Sequence, residues 1–130
     1  MKTIFDLTGK IAVITGSSKG IGRAMAEEVA RHGATVIISS RKADMCERVA
    51  AEINQELSNQ AGGAVAIPAN ISSKESVEEL IYKVKKEVGH IDILICNAAV
   101  NPAYGSMSRL EDSAFRKILD VNIMSNHWLS

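Results

Sequence analysis

Short runs of consecutive apolar residues alternate along this chain with longer stretches in which apolar residues return every third or fourth position. The first run is Ile11-Ala12-Val13-Ile14, closing on Thr15-Gly16. An unbroken apolar run suits a strand covered on both faces, as in a parallel sheet; a strand with one wet face would alternate. A glycine-bearing loop then leads into a helical pattern with Ile21, Met25 and Val29 on one face, stopped by Gly33. Residues 34–39 (ATVIIS) predict a second strand, and Met45, Val49, Ile53 and Leu57, spaced by four, predict a longer helix broken at Ala61-Gly62-Gly63. Ala64-Val65-Ala66-Ile67 predicts a third strand, closed by Pro68. Ser72 or Ser73 is placed to cap a third helix with the stripe Val77, Leu80, Ile81, Val84 and Val88, ended by Gly89. A fourth strand is predicted over 91–96. Beyond a loop with Asn101-Pro102 and Gly105, a last helical pattern starts near Glu111, carries Phe115, Ile118, Leu119 and Asn122, and runs toward the end.

The resulting order, β-α-β-α-β-α-β-loop-α, predicts an α/β domain over residues 1–130: a doubly wound parallel sheet with right-handed crossovers and helices on both faces. With 46% apolar and 23% charged residues the composition is that of a globular domain. Fifteen basic residues balance fifteen acidic ones, which argues against a nucleic-acid or anionic-membrane partner held by a global positive field. The apolar runs are far too short for a membrane span, and the first residues carry no apolar secretory core, so a cytoplasmic location is expected. Cys46 and Cys96 stand alone and predict two reduced core thiols; the three histidines share no metal-ligand spacing, so no metal site is expected.

The run Thr15-Gly16-Ser17-Ser18-Lys19-Gly20-Ile21-Gly22 joins the first strand to the first helix. Gly16 permits a tight turn out of the strand, Gly20 allows backbone to approach a diphosphate, and Gly22 allows close helix packing. The free N–H groups and positive dipole end of the helix would face the anion. These residues match the T-G-x-x-x-G-I-G run of the short-chain dehydrogenase/reductase family, and the chain resembles that family over its whole length. Leu7-Thr8-Gly9-Lys10 is similar to the family's lead-in, Asn97-Ala98-Ala99 to its N-A-G element, and Asn122 in Val-Asn-Ile to its catalytic helix asparagine. The resemblance implies a Rossmann-type sheet in the order 3-2-1-4, here about four strands long, and a nicotinamide coenzyme touched by Thr15, Gly16, Ser18, Lys19, Gly20, Ile21, Gly22, Ser40, Arg41, Asn70, Ile71, Asn97, Ala98 and Ala99. Three positions depart from the family pattern: Cys96 and Ala99 replace Asn and Gly, and Asn70 replaces the acidic residue that meets adenine.

Coenzyme choice is expected at the end of the second strand, where an Asp or Glu would hold a ribose 2′-hydroxyl. Ser40 occupies that place, 24 residues after Gly16, and Arg41 follows. Ser40, Arg41 and Lys19 together suit a 2′-phosphate, so NADP(H) is expected over NAD(H).

The resemblance also implies an oxidoreductase that interconverts a small-molecule carbonyl and an alcohol. Its proton donor is a Tyr with a Lys four residues on, supported by a Ser and by the helix Asn. Only the Asn is present, as Asn122; Tyr82 and Lys86 have the Tyr-x-x-x-Lys spacing but fall on the third helix, where a solvated face is expected. The Ser and the Tyr-Lys pair follow Asn122 in the family, which implies that these 130 residues are the coenzyme-binding half, without turnover of their own. Two alternatives stand beside this: a degenerate NADP-binding regulatory module, and an inactive truncated fragment. With strand four at the sheet edge and Phe115, Ile118, Leu119 and Trp128 short of neighbours, a homo-oligomer is expected. Tyr104, in the loop after strand four, is more suited to loop packing than to substrate contact, and the substrate itself is not legible.

Overall fold

The computed structural model describes residues 3–100 and 105–130. Its centre is a four-stranded parallel sheet in the order β3-β2-β1-β4, built from β1 (Ile11–Thr15), β2 (Thr35–Ser39), β3 (Gly63–Ala66) and β4 (Ile93–Ile95). The registers place Val13 beside Ile37 and Leu94, and Ile37 beside Val65. Side chains alternate across the sheet. Ala12, Ile14, Val36 and Ile38 enter one core with α1 (Gly20–Arg31) and α2 (Ala43–Glu56), while Val13 and Ile37 enter the other with α3 (Lys74–Glu87) and the C-terminal helix. Both faces are covered, which explains the unbroken apolar runs of β1 and β2.

Helix α1 differs from its sequence pattern. Gly22, Ala26 and Ala30 are the buried residues, Met25 and Val29 are half-buried, and Ile21 is 76% exposed rather than part of a buried stripe. Small residues bring the helix axis close to the sheet; the larger aliphatics flank the contact. Helix α2 buries Cys46, Val49, Ala50 and Ile53, and α3 buries Val77, Leu80 and Val84, close to expectation. Ser73 is the cap of α3, its hydroxyl accepting from the Ser76 N–H at 3.3 Å. Tyr82 is exposed on α3 with the Lys86 ammonium 5.8 Å from its ring centre, a solvated face as expected.

Strand β4 is shorter than predicted, three residues against six, and its side chains are half-buried because no strand pairs with its outer edge among the described residues. Its approach to β1 is extended by Asp92, whose N–H donates to the Ile11 carbonyl (2.9 Å) and whose carboxylate accepts from the Ile11 N–H (3.0 Å). A groove lined by Ile81, Ile91, Ile93, Trp128 and Leu129 runs along this edge. Trp128 packs partly against the core of Val13 and Leu80, so it is better covered than expected. The last helical region is not one regular helix. After a short 3-10 turn (Met107–Arg109) come α4 (Asp112–Leu119), a π-helical segment (Asp120–Met124) and α5 (Ser125–Leu129).

The opposite edge is closed by a side chain. The Asn54 carboxamide of α2 donates to the Ala64 carbonyl (2.9 Å) and accepts from the Ala64 N–H (2.8 Å), taking the place of a neighbouring strand, which β3 lacks on this side among the described residues. Replacing Asn54 with Ala leaves both backbone groups unpaired. The expected cost is about 1–3 kcal/mol of unfolding free energy, read in urea denaturation as a lower midpoint with an unchanged slope.

Candidate coenzyme site

The sequence-predicted site residues gather at the carboxyl ends of the strands. In the order 3-2-1-4 the connections leave β1 in opposite directions, toward β2 and, after β3, toward β4. The crevice between β1 and β4 is therefore the topological switch point, where open α/β sheets receive ligands. Thr15, ending β1 at 2% exposure, holds that crevice together. Its hydroxyl oxygen accepts from the backbone N–H groups of Asn97 and Ala98, each at 3.1 Å. The Asn97 carboxamide donates back to the carbonyls of Thr15 and Gly16, each at 3.2 Å. Thr15, Gly16, Asn97 and Ala98 thus form one latch, as their motifs suggest.

The loop is also fastened to β2. The Ser17 N–H donates to the Ser39 carbonyl (3.2 Å), and its buried hydroxyl accepts from the Ser39 N–H at 2.9 Å. Sequence reasoning passed over Ser17; its only signal was its place inside the glycine run. Gly16 has φ +66°, and a Cβ there would sit 3.0 Å from the Ala98 Cα. A Cβ on Gly22 would fall 2.2 Å from the Gly16 carbonyl oxygen and 2.5 Å from the Asn97 amide nitrogen. Gly22 therefore packs the helix onto the loop and the Asn97 latch, not merely onto the sheet. Gly20 is different: φ is +61°, and a Cβ there would meet no protein atom within 4 Å. Its outer side is open, as an approaching ligand requires.

Helix α1 begins beside this opening with no side-chain cap at Lys19 and no acidic residue in its first turn. Its first N–H groups and the positive end of its dipole are left for an anion. The residues present fit a dinucleotide diphosphate. Within the loop Ser18 is buried, whereas Lys19 and Ile21 are exposed. Lys19 and Arg41 carry no ion pair among the described residues, whereas Arg23 and Arg31 are bound to carboxylates of Glu27 and Glu52 and of Glu28 and Glu56, which raise their pKa values. Ser40 is half-buried after β2, its hydroxyl accepting from the Lys42 N–H at 3.3 Å and lying 3.2 Å from the Cys46 sulfur.

The segment after β3 lies beside Ser40, because the Ala69 N–H donates to the Ser40 carbonyl at 3.0 Å. Asn70 follows, its side-chain oxygen accepting from the Ser72 N–H (3.1 Å) and hydroxyl (2.6 Å). A backbone N–H can only donate, so the carboxamide NH₂ is the end left outward. Ile71 is half-buried against the core beneath. Ala99 is exposed, and no described residue other than glycine has a positive φ, so alanine in place of glycine carries no backbone strain there. Cys96 is exposed, contrary to the expected core position, because the chain has already left the short edge strand; partial burial pushes its thiol pKa up. Asn101, Pro102, Ala103 and Tyr104 lie outside the described residues.

Asn122 sits within the π-helical segment. Its carboxamide accepts from the Val100 N–H (2.8 Å) and donates to the Val100 carbonyl (3.0 Å), tying the loop after β4 to the last helix. Its own carbonyl accepts from the Asn126 carboxamide at 3.2 Å. Among the described residues no group of three or more His, Cys, Asp or Glu side chains gathers as a metal site, and no helix is long and apolar enough to cross a membrane.

The short chain dehydrogenase family model matches residues 10–130. Human dehydrogenase/reductase SDR family member 2, mitochondrial, is 40% identical over 92% of this chain and 41% of its own length. The 3-oxoacyl-[acyl-carrier-protein] reductase FabG of Haemophilus influenzae is 37% identical over 95% of this chain and 48% of its own. The chain thus spans less than half the length of these relatives. Among solved structures, the Pseudomonas aeruginosa RhlG/NADP active-site complex superposes with a TM-score of 0.88 at 29% identity, covering 99% of this chain and 48% of that one. The Thermococcus sibiricus alcohol dehydrogenase complexed with 5-hydroxy-NADP gives a TM-score of 0.84 at 32% identity, covering 92% of this chain and 49% of that one. With the glycine loop, the Asn97 latch and the 3-2-1-4 sheet in agreement, the chain belongs to the short-chain dehydrogenase family of oxidoreductases.

Proposed function

We propose that these residues are the NADP(H)-binding half of an oxidoreductase that interconverts a carbonyl and an alcohol on a small molecule. The observation that carries this reading is the end of β2, where a hydroxyl (Ser40) and a guanidinium without an ion pair among the described residues (Arg41) replace the carboxylate that would repel a 2′-phosphate. The α1 N-terminus, with Gly20 open before it, binds the diphosphate; Ser40, Arg41 and Lys19 hold the ribose phosphate; Asn70 and Ile71 border the adenine. The similar structures of RhlG in complex with NADP and of the Thermococcus enzyme in complex with 5-hydroxy-NADP support the choice.

When bound, the nicotinamide supplies or accepts a hydride. This chain's part is to hold it in place. The Thr15–Asn97 latch keeps the ends of β1 and β4 together, and Asn122 fixes the loop that follows β4 through Val100. The Asn122 side chain accepts one hydrogen bond and donates one in that task, which supports a positioning role in catalysis. The acid and its lysine partner come, by family resemblance, from a segment following Asn122, and the 130 residues by themselves bind coenzyme without turnover.

In a fluorescence titration NADPH binds this chain at least about ten-fold more tightly than NADH. Arg41→Ala and Ser40→Ala each erode that ratio, and Gly22→Ala abolishes binding of both by displacing the Gly16 carbonyl. Equal affinities in the parent chain, unaltered by Arg41→Ala, contradict the reading, as does NADPH-dependent carbonyl reduction by the purified 130 residues. Phe115, Leu119, Ile123 and Met124 expose apolar surface along one helical region. We expect it to be covered by a second copy, so light scattering shows concentration-dependent self-association that Leu119→Glu weakens; a monomer at high concentration contradicts this.

A further inference from the structure

The turn from β2 into α2 brings the Ser40 hydroxyl and the Cys46 thiol together. The Lys42 N–H lies 3.3 Å from the Ser40 hydroxyl oxygen, which lies 3.2 Å from the Cys46 sulfur, which in turn lies 3.8 Å from the Ser40 carbonyl oxygen. A backbone N–H only donates and a carbonyl only accepts. Across the 3.2 Å contact either group can donate; when the thiol does, the Ser40 oxygen accepts from both the Lys42 N–H and the Cys46 S–H. Cys46 is fully buried and does not reach solvent. Among the described residues its side-chain hydrogen-bond contacts are both to Ser40.

With both acceptor positions of the Ser40 oxygen taken in this way, its own hydrogen is left for an acceptor outside the turn. A phosphate oxygen is such an acceptor, and the bond it accepts is charge-assisted. A neutral ribose hydroxyl offers no comparable gain. We propose that Cys46 is a specificity-determining positioning residue, which holds the Ser40 hydroxyl ready to donate to the coenzyme 2′-phosphate. The inference rests on the NADP(H) reading given above.

The test is a double-mutant cycle on this chain, with NADPH and NADH affinities measured for the parent, Cys46→Ala, Cys46→Ser, Cys46→Val, Ser40→Ala and Ser40→Ala/Cys46→Ala. Cys46→Ala lowers the NADPH-to-NADH affinity ratio about two- to five-fold while leaving NADH affinity unchanged. Cys46→Val, which fills the site without a donor, does the same, and Cys46→Ser, which keeps one, retains most of the ratio. In the Ser40→Ala background Cys46→Ala changes nothing further. Equal weakening of both coenzymes, an unchanged ratio, or the same loss with and without Ser40 overturns the role of Cys46. If those results accompany a parent chain that still prefers NADPH through Arg41, the NADP(H) reading stands; a parent chain without preference overturns both.

Discussion

The site depends on one latch, the exchange of hydrogen bonds between Thr15 at the end of β1 and Asn97 after β4. Strands β1 and β4 pair over only three registered positions, so their carboxyl ends would part easily if backbone pairing alone held them. A buried threonine hydroxyl accepting two N–H groups, answered by a carboxamide donating to two carbonyls, fixes the separation of the two loops that a ligand at the switch point would meet. Gly22 follows from the same constraint: the Asn97 amide and the Gly16 carbonyl occupy the space a side chain on α1 would need. Helix, loop and latch are one packed unit, which explains why a glycine without positive φ is required there.

Most of the architecture was legible in the order of apolar runs. A strand buried on both faces is an unbroken run and a crossover helix is a periodic one, so the element order, the doubly wound class and the glycine loop could all be read before the structure. What failed did so for identifiable physical reasons. The pattern Ile21, Met25, Val29 suggested a buried stripe, but the face that meets the sheet is Gly22, Ala26 and Ala30, selected for small size. Hydrophobicity does not report how near two backbones must come. The ends of β4 are not marked in the sequence, because apolar residues extend past the last pairing position on an edge strand. The π-helical turn around Asn122 has no period of its own; five residues are too few to shift an apolar stripe visibly.

Side-chain amides were legible as polar residues and illegible as structure. Asn54 and Asn122 each satisfy a full pair of backbone groups on a neighbouring residue, Ala64 and Val100. A carboxamide has the donor and acceptor spacing of a peptide group, so it can substitute for one where a strand ends or a loop lacks a partner. Nothing local in the sequence distinguishes such an asparagine from one facing water, since its partner is distant in the chain. Asn122 could be singled out by family resemblance, whereas Asn54 carried no comparable signal.

The zero net charge excludes a global field and does not constrain the local one. Of the arginines near the nucleotide half, Arg23 and Arg31 each lie between two carboxylates on α1 and α2, where they tie the helices together and project little charge outward. Arg41 and Lys19 carry no such partner among the described residues, and both flank loops that follow strand ends. Neutralised and free cations of the same formal charge thus differ in consequence. The first kind contributes little beyond a weak surface contact, whereas the second retains its full charge for an anionic ligand, next to a helix N-terminus that reinforces it. Counting lysines and arginines along a chain cannot separate the two. Their separation follows from which carboxylates the fold brings within reach: α1 and α2 bring theirs to Arg23 and Arg31, while among the described residues none reaches Arg41.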